Sequence, residues 1–279
     1  MITLVDVIQL LYEIPSTILL IIFVFLLTRE IIFYKNPIYN NQFYPFILYK
    51  GYVDILNYIS TLFCSRAAKM NIFGSLYKDN KLLASYYYII VGATYTVMHT
   101  ITFITSFNRF TAIVYPFYID KWFSKARIKL YILITMCMGL LYGFGFLYFK
   151  PYYIYFPPIK GYYVVFESQK APYYVTSYTL CLILPIAVCS SIMNIVTIYK
   201  LSKYYKDGNV KGSLHDVSLI IYSILSFSCF SLFFIYNMSR VINFIFIKSS
   251  DLENIANTFI YWIIDLEIFG LFYAVLFLR

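Results

Sequence analysis

Ionisable side chains set into long apolar stretches are where this sequence could do chemistry. Lys50, Asp54, Asn57 and Thr61 are spaced to lie on one face of a helix. Ionisable groups at membrane depth turn toward a packed interior, where they meet polar partners or water. Two readings follow. Lys50, Asp54 and Asn57 form an interior polar network, or Lys50 pairs locally with Asp54 while its stem reaches for the headgroups. Asp54 fits the network better, and Lys50 fits the local pair. Further along, Asp265 and Glu267 stand two residues apart, about 200° around a helix, and so face different ways. Asp265 shares a face with Tyr261, Trp262 and Phe269, an acid in an aromatic wall. One of the two acids is expected to meet a partner from another helix, with Arg240 and Asp54 as candidates.

Catalysis finds little equipment. Two intramembrane aspartates, here Asp54 and Asp265, are what a presenilin-type protease would use, but the Gly-x-Gly-Asp it wants is absent. His99 and His215 are the two histidines, too few for a multi-histidine metal box. There is no His-Glu-x-x-His, no Cys-x-x-Cys and no Gly-rich phosphate loop. No enzyme activity, metal or cofactor is expected. His99 precedes Arg109 by ten residues, about 15 Å along a helix. It reads as a histidine bonded to a neighbouring helix or as the floor of a pocket.

The elements that must hold these groups are membrane helices. The chain has 279 residues, 61% hydrophobic and 13% charged, against about 25% charged in a soluble domain. Apolar segments of about 20 residues, enough to span a bilayer, fall at 7–27, 43–63, 83–107, 130–148, 174–199, 218–242 and 254–277. The expected fold is an all-α membrane protein, a seven-transmembrane-helix bundle forming one domain over 1–279. No signal peptide is expected, because Met1-Ile2-Thr3-Leu4 lacks a basic residue and Asp6 and Glu13 are acidic. Lys and Arg are more numerous on the side of Lys35, Lys121 and Lys125 than on the side of Arg66, Lys69 and Lys150. That bias puts the N-terminus outside and the C-terminus in the cytoplasm. The net charge of +9 is scattered over loops, so the lipid bilayer is an expected partner and nucleic acid is not.

Several local features bear on a binding site. Tyr88, Tyr95 and His99 run down one side of helix three, Asn237 and Arg240 share a face of helix six, and helix seven adds Trp262 and Asp265. An aromatic wall with a few polar groups suits a small-molecule cavity; the plainer reading is that these side chains pack the bundle. Pro185 should kink or loosen helix five, since it removes a backbone bond and crowds the carbonyl four residues back. Gly139 and Gly143 allow close helix approach, expected inside the molecule rather than at a dimer interface. The loop from Lys150 to Ala171, with Tyr152, Tyr153, Tyr155 and Phe156 before Pro157-Pro158, caps a cavity or lies in the interface as an aromatic belt. Cys64, Cys137, Cys181, Cys189 and Cys229 are expected to be free, buried thiols.

Ser106-Phe107-Asn108-Arg109-Phe110-Thr111-Ala112-Ile113-Val114-Tyr115-Pro116 closes the third helix. It resembles the cytoplasmic end of helix three in G-protein-coupled receptors, where an acidic residue stands in place of Asn108. Together with Tyr12-Glu13-Ile14-Pro15-Ser16 and Asn41-Gln42-Phe43-Tyr44, it resembles the nematode serpentine chemoreceptors of class gamma and relatives such as class V. The resemblance implies a GPCR-like receptor in the plasma membrane of a sensory cell. It also implies a small external ligand and a heterotrimeric G protein as partners. The implied coupling surface is Arg109, Phe110 and Pro116 with the basic stretch Lys200, Lys203 and Lys206. The departures count as well. No cysteine lies at the top of helix three or in the loop after helix four, so the disulfide usual in rhodopsin-like receptors has no partners there. Helix six lacks Trp-x-Pro and helix seven lacks Asn-Pro-x-x-Tyr, so switches built on those motifs do not carry over. The alternative is a small polytopic transporter, which would want inverted repeats and interrupted helices at matched positions; neither is evident.

Overall fold

The computed structural model describes residues 4–36, 39, 42–157, 160–206, 214–247, 249, 259–260, 262–270, 272–273 and 276. Asn41, Pro158, Tyr261 and the start of the seventh expected helix, 254–258, lie outside the described residues. Five helical stretches among them are long and apolar enough to cross a membrane: Val7–Phe33, Lys81–Val114, Lys125–Phe149, Ala171–Tyr204 and Ile224–Ile247. The chain forms two compact units, Met1–Ile101 with Ile128–Tyr173, and Thr102–Arg127 with Tyr174–Arg279.

The first unit begins with α1 (Leu4–Thr28), which runs on into a π-helical turn, Arg29–Phe33. Next comes α2 (Tyr44–Thr61), followed by the π-helical turn Leu62–Arg66. α1 and α2 approach closely because Gly51 has no side chain: a Cβ there would lie 2.5 Å from Val24 Cγ2. α3 (Lys81–Val114) is the longest element, and its first part belongs to this unit. Against it packs α4 (Lys125–Gly145), which closes in a 3₁₀ turn, Phe146–Phe149. A Cβ on Gly139 would lie 2.6 Å from the Ala93 carbonyl oxygen, and one on Gly143 would lie 2.3 Å from that of Ile89. The Gly-x-x-x-Gly surface is thus spent on an internal contact, as the sequence suggested.

Beyond α4 the expected aromatic loop is a two-stranded antiparallel hairpin, β1 (Pro151–Phe156) with β2 (Gly161–Phe166). It is the one sheet among the described residues. Pairing sets Tyr153 opposite Val164 and Tyr155 opposite Tyr162. Tyr153 is buried in a small cluster with Ala67, Ala68, Tyr77 and Ala84, and Tyr162 and Val164 pack on its edge. Ile154, Phe156 and Tyr163, which alternate with these along the strands, are exposed.

In the second unit, α3 ends at Val114 and the chain turns through a 3₁₀ segment, Pro116–Tyr118, into a short helix, Ile119–Trp122. Phe107 holds this turn, its ring centroid 5.7 Å from that of Trp122 and 5.5 Å from that of Phe123. The fifth expected helix is broken into α5 (Ala171–Tyr178), a π-helical turn (Thr179–Ile183) and α6 (Leu184–Lys206). Pro185 is the second residue after the π turn. The carbonyl it crowds belongs to Cys181, inside that turn, so the loosening falls where the ring requires it. α7 (Leu214–Ile242) packs on α6 and ends in another π turn, Asn243–Ile247. Within the seventh expected helix, Leu266–Gly270 is π-helical.

The cysteines are all free, but only Cys64 and Cys229 are buried; Cys137, Cys181 and Cys189 are exposed. The expectation of five buried thiols fails because three sit on outward helix faces that no other described segment covers.

Candidate functional site

The face of α2 singled out by the sequence is buried. Lys50 is 5% and Asp54 3% exposed, and Lys50 Nζ donates to Asp54 Oδ2 at 2.6 Å. The lysine does not reach for the headgroups. A carboxylate one helical turn away is a nearer partner for the ammonium than water at this depth. Asn57 Oδ1 accepts from Thr94 Oγ1 at 2.9 Å, which ties α2 to α3. Further along α3, the ring of Tyr95 stacks on that of buried His99 with centroids 6.4 Å apart. His99 and Lys50 are both buried within this unit. Lys50, Asp54, Asn57, Thr94 and His99 thus line the inside of the first unit.

A second buried ion pair escaped the sequence reading. Arg66 Nη2 lies 2.5 Å from Glu13 Oε1, and Glu13 has no exposed surface. Tyr58 is buried beside them, with Glu13, Thr17 and Arg66 acting on its hydroxyl. Arg66 had been counted as a loop charge and Glu13 as a letter of a motif. An acid inside one apolar helix and a base closing the next are the signal that would have joined them.

The hairpin is fastened by tyrosines. Tyr153 donates its hydroxyl to the Cys64 carbonyl at 2.7 Å, and Tyr77 donates to the Phe63 carbonyl at 2.7 Å. Both phenols are O–H donors at physiological pH, and burial pushes their pKa further up. Tyr88, expected in a ligand wall, is engaged by the hairpin: its ring centroid is 4.2 Å from that of Phe166 and 5.4 Å from that of Phe146.

The second unit holds the rest of the expected site. Asn237 donates to the Phe233 carbonyl at 2.9 Å, and Arg240 Nη1 donates to the Tyr236 hydroxyl at 3.3 Å. Each of these bonds stays within α7. Trp262 is exposed, whereas Asp265, Glu267 and Phe269 are buried. Arg109 is 5% exposed and Asn108 is also buried, both in the last turns of α3. Phe110 meets Tyr115 edge to face at 5.9 Å. Pro116 is exposed, and its neighbour Phe117 is 95% exposed. Lys200 is half-buried and Lys203 exposed on the last turns of α6, which Lys206 ends. Ser190, Asn194 and Thr197, not singled out by the sequence, line a buried face of α6.

Residues 18–246 match the family model described as serpentine type 7TM GPCR chemoreceptor Srx. No curated protein sequence matches the chain. The match carries the coarse expectation of a serpentine chemoreceptor but not the finer one of class gamma or class V. Of the three stretches behind that finer reading, Tyr12-Glu13-Ile14-Pro15-Ser16 lies outside the matched range.

Proposed function

This chain belongs to the serpentine type 7TM GPCR chemoreceptor family Srx, and from that membership we propose that it binds a small external chemical and passes the signal to a heterotrimeric G protein. In this reading seven helices work as one domain in the plasma membrane of a sensory cell, in a nematode as the earlier resemblance implies. The N-terminus is outside. The candidate ligand contacts are Tyr88, Tyr95 and His99 in the first unit and, taken separately, Asn237, Arg240, Trp262 and Asp265 in the second. The G protein meets Phe110, Pro116, Lys200, Lys203 and Lys206, with Arg109 behind them. A ligand shifts the equilibrium between two packings only by its differential affinity for them.

The burial of Arg109 is the observation that carries the coupling reading. An arginine that merely anchored α3 at the headgroups would extend into water. Arg109 is instead enclosed, seven residues before the exposed Pro116 and Phe117. A buried guanidinium beside an exposed aromatic turn suits a group released when the helices part. The test is a ligand screen in cells carrying a promiscuous Gα subunit, with Arg109→Ala as control. We expect at least one chemical to raise second-messenger output in wild type and not in an equally well-expressed Arg109→Ala. Equal responses from both would remove Arg109 from the coupling machinery.

A further inference from the structure

Three separate elements bond to one helical turn at the Arg66 end of α2. The turn Leu62–Arg66 is π-helical, a local irregularity that helices carry at functional positions. Its Phe63 carbonyl accepts from Tyr77, in the segment before α3, and its Cys64 carbonyl accepts from Tyr153 in β1. Two residues on, Arg66 pairs with Glu13 of α1. The hairpin also rests on the backbone that follows: a Cβ on Gly161 would lie 2.0 Å from the Lys69 carbonyl oxygen.

We propose that this turn is a three-way junction coupling the position of the aromatic hairpin to α1, with Tyr77 and Tyr153 as positioning residues. Lifting the hairpin withdraws the Tyr153 hydroxyl and leaves the Cys64 carbonyl buried without its donor. Such a group is costly to leave unsatisfied, so the turn rewinds to satisfy it. Rewinding carries Arg66 around the α2 axis and away from Glu13. A buried carboxylate cannot be left behind cheaply, so α1 follows or the hairpin stays down. The same linkage runs in reverse, because a coupling between two sites is reciprocal. Phenolic hydroxyls thereby do the fastening that a disulfide cannot do in a chain whose cysteines are all free.

The junction rests on the receptor reading only for its consequence, that a ligand displacing the hairpin would reach α1 by this route. Its test needs neither ligand nor G protein. The full chain in nanodiscs is followed by hydrogen exchange and by the alkylation rate of Cys64, which is buried in the turn. We expect Tyr153→Phe to speed exchange at 7–13 of α1, a different element from the hairpin that carries Tyr153. Glu13→Gln should speed exchange across 151–166, and each variant should raise Cys64 alkylation about tenfold, the size of one lost buried hydrogen bond. Exchange in α7 should keep its wild-type rate. Gly161→Ala, which lifts the hairpin while keeping every tyrosine in the sequence, should act like Tyr153→Phe and replaces it where that variant does not fold. Effects confined to the altered element, or a rise shared by every helix, would overturn the junction.

Discussion

Lys50 and Asp54 neutralise each other inside the first unit, with both side chains buried and 2.6 Å between them. Removing one partner leaves the other charged in an apolar surrounding, whereas removing both leaves none. Lys50→Met alone should therefore cost about 3–5 kcal/mol, and the double variant Lys50→Met/Asp54→Leu should recover most of that. Thermal unfolding in detergent reads the difference; additive losses would mean that the two groups do not depend on each other. A second prediction concerns Asn108, which stands where an acid would hold Arg109. Asn108→Asp should set a carboxylate beside the buried Arg109, restore that restraint and lower ligand-independent signalling at equal surface expression. Unchanged or higher basal output would contradict it. The α2 face was legible in the sequence because one helix contains it, and spacing alone aligns Lys50, Asp54 and Asn57. Glu13 and Arg66 were not, because their pairing depends on how two helices pack and no local spacing encodes that.

Helices are held together here by positions that lack a side chain. Gly143 faces the Ile89 carbonyl, which is backbone and cannot swing aside, while Gly51 faces a methyl group of Val24. Gly143→Ala should thus destabilise by about 1–3 kcal/mol, as overpacking does, and Gly51→Ala by less. Thermal midpoints of the two purified variants give the order, and the reverse order would mean that α1 and α2 are the more rigid pair. The Gly139 and Gly143 spacing announced this contact, and Pro185 announced the irregular turn before it. The hairpin was hidden for a physical reason. Strands are recognised by alternation of apolar and polar residues, and Tyr152-Tyr153-Ile154-Tyr155-Phe156 is apolar or aromatic on both faces. The aromatic and β-branched run Gly161-Tyr162-Tyr163-Val164-Val165-Phe166, soon after the Pro157-Pro158 dipeptide, was the available clue.

At the scale of the whole molecule the apolar segments and their lengths identified a bundle of membrane helices, the resemblance around Asn108-Arg109-Phe110 pointed to a receptor, and the family match agrees with both. The bias of lysines and arginines is the basis for proposing that the N-terminus lies outside. An epitope at the N-terminus should be accessible on intact cells, and one within 207–213 only after permeabilisation. The opposite pattern would place Arg109 outside and end the coupling reading. The ligand class stayed illegible because Tyr88, Tyr95 and His99 sit in one unit and Asn237, Arg240, Trp262 and Asp265 in the other. Sequence spacing relates residues along a helix, not across such a division. The central claim is that this chain activates a G protein, and purified components test it most directly. The chain in nanodiscs is mixed with a heterotrimeric G protein and a chemical found in the cell screen, and GDP release is timed. Release should quicken with wild type and stay at the spontaneous rate with Arg109→Ala. A wild-type chain that binds the chemical yet leaves GDP release at the spontaneous rate would contradict the account.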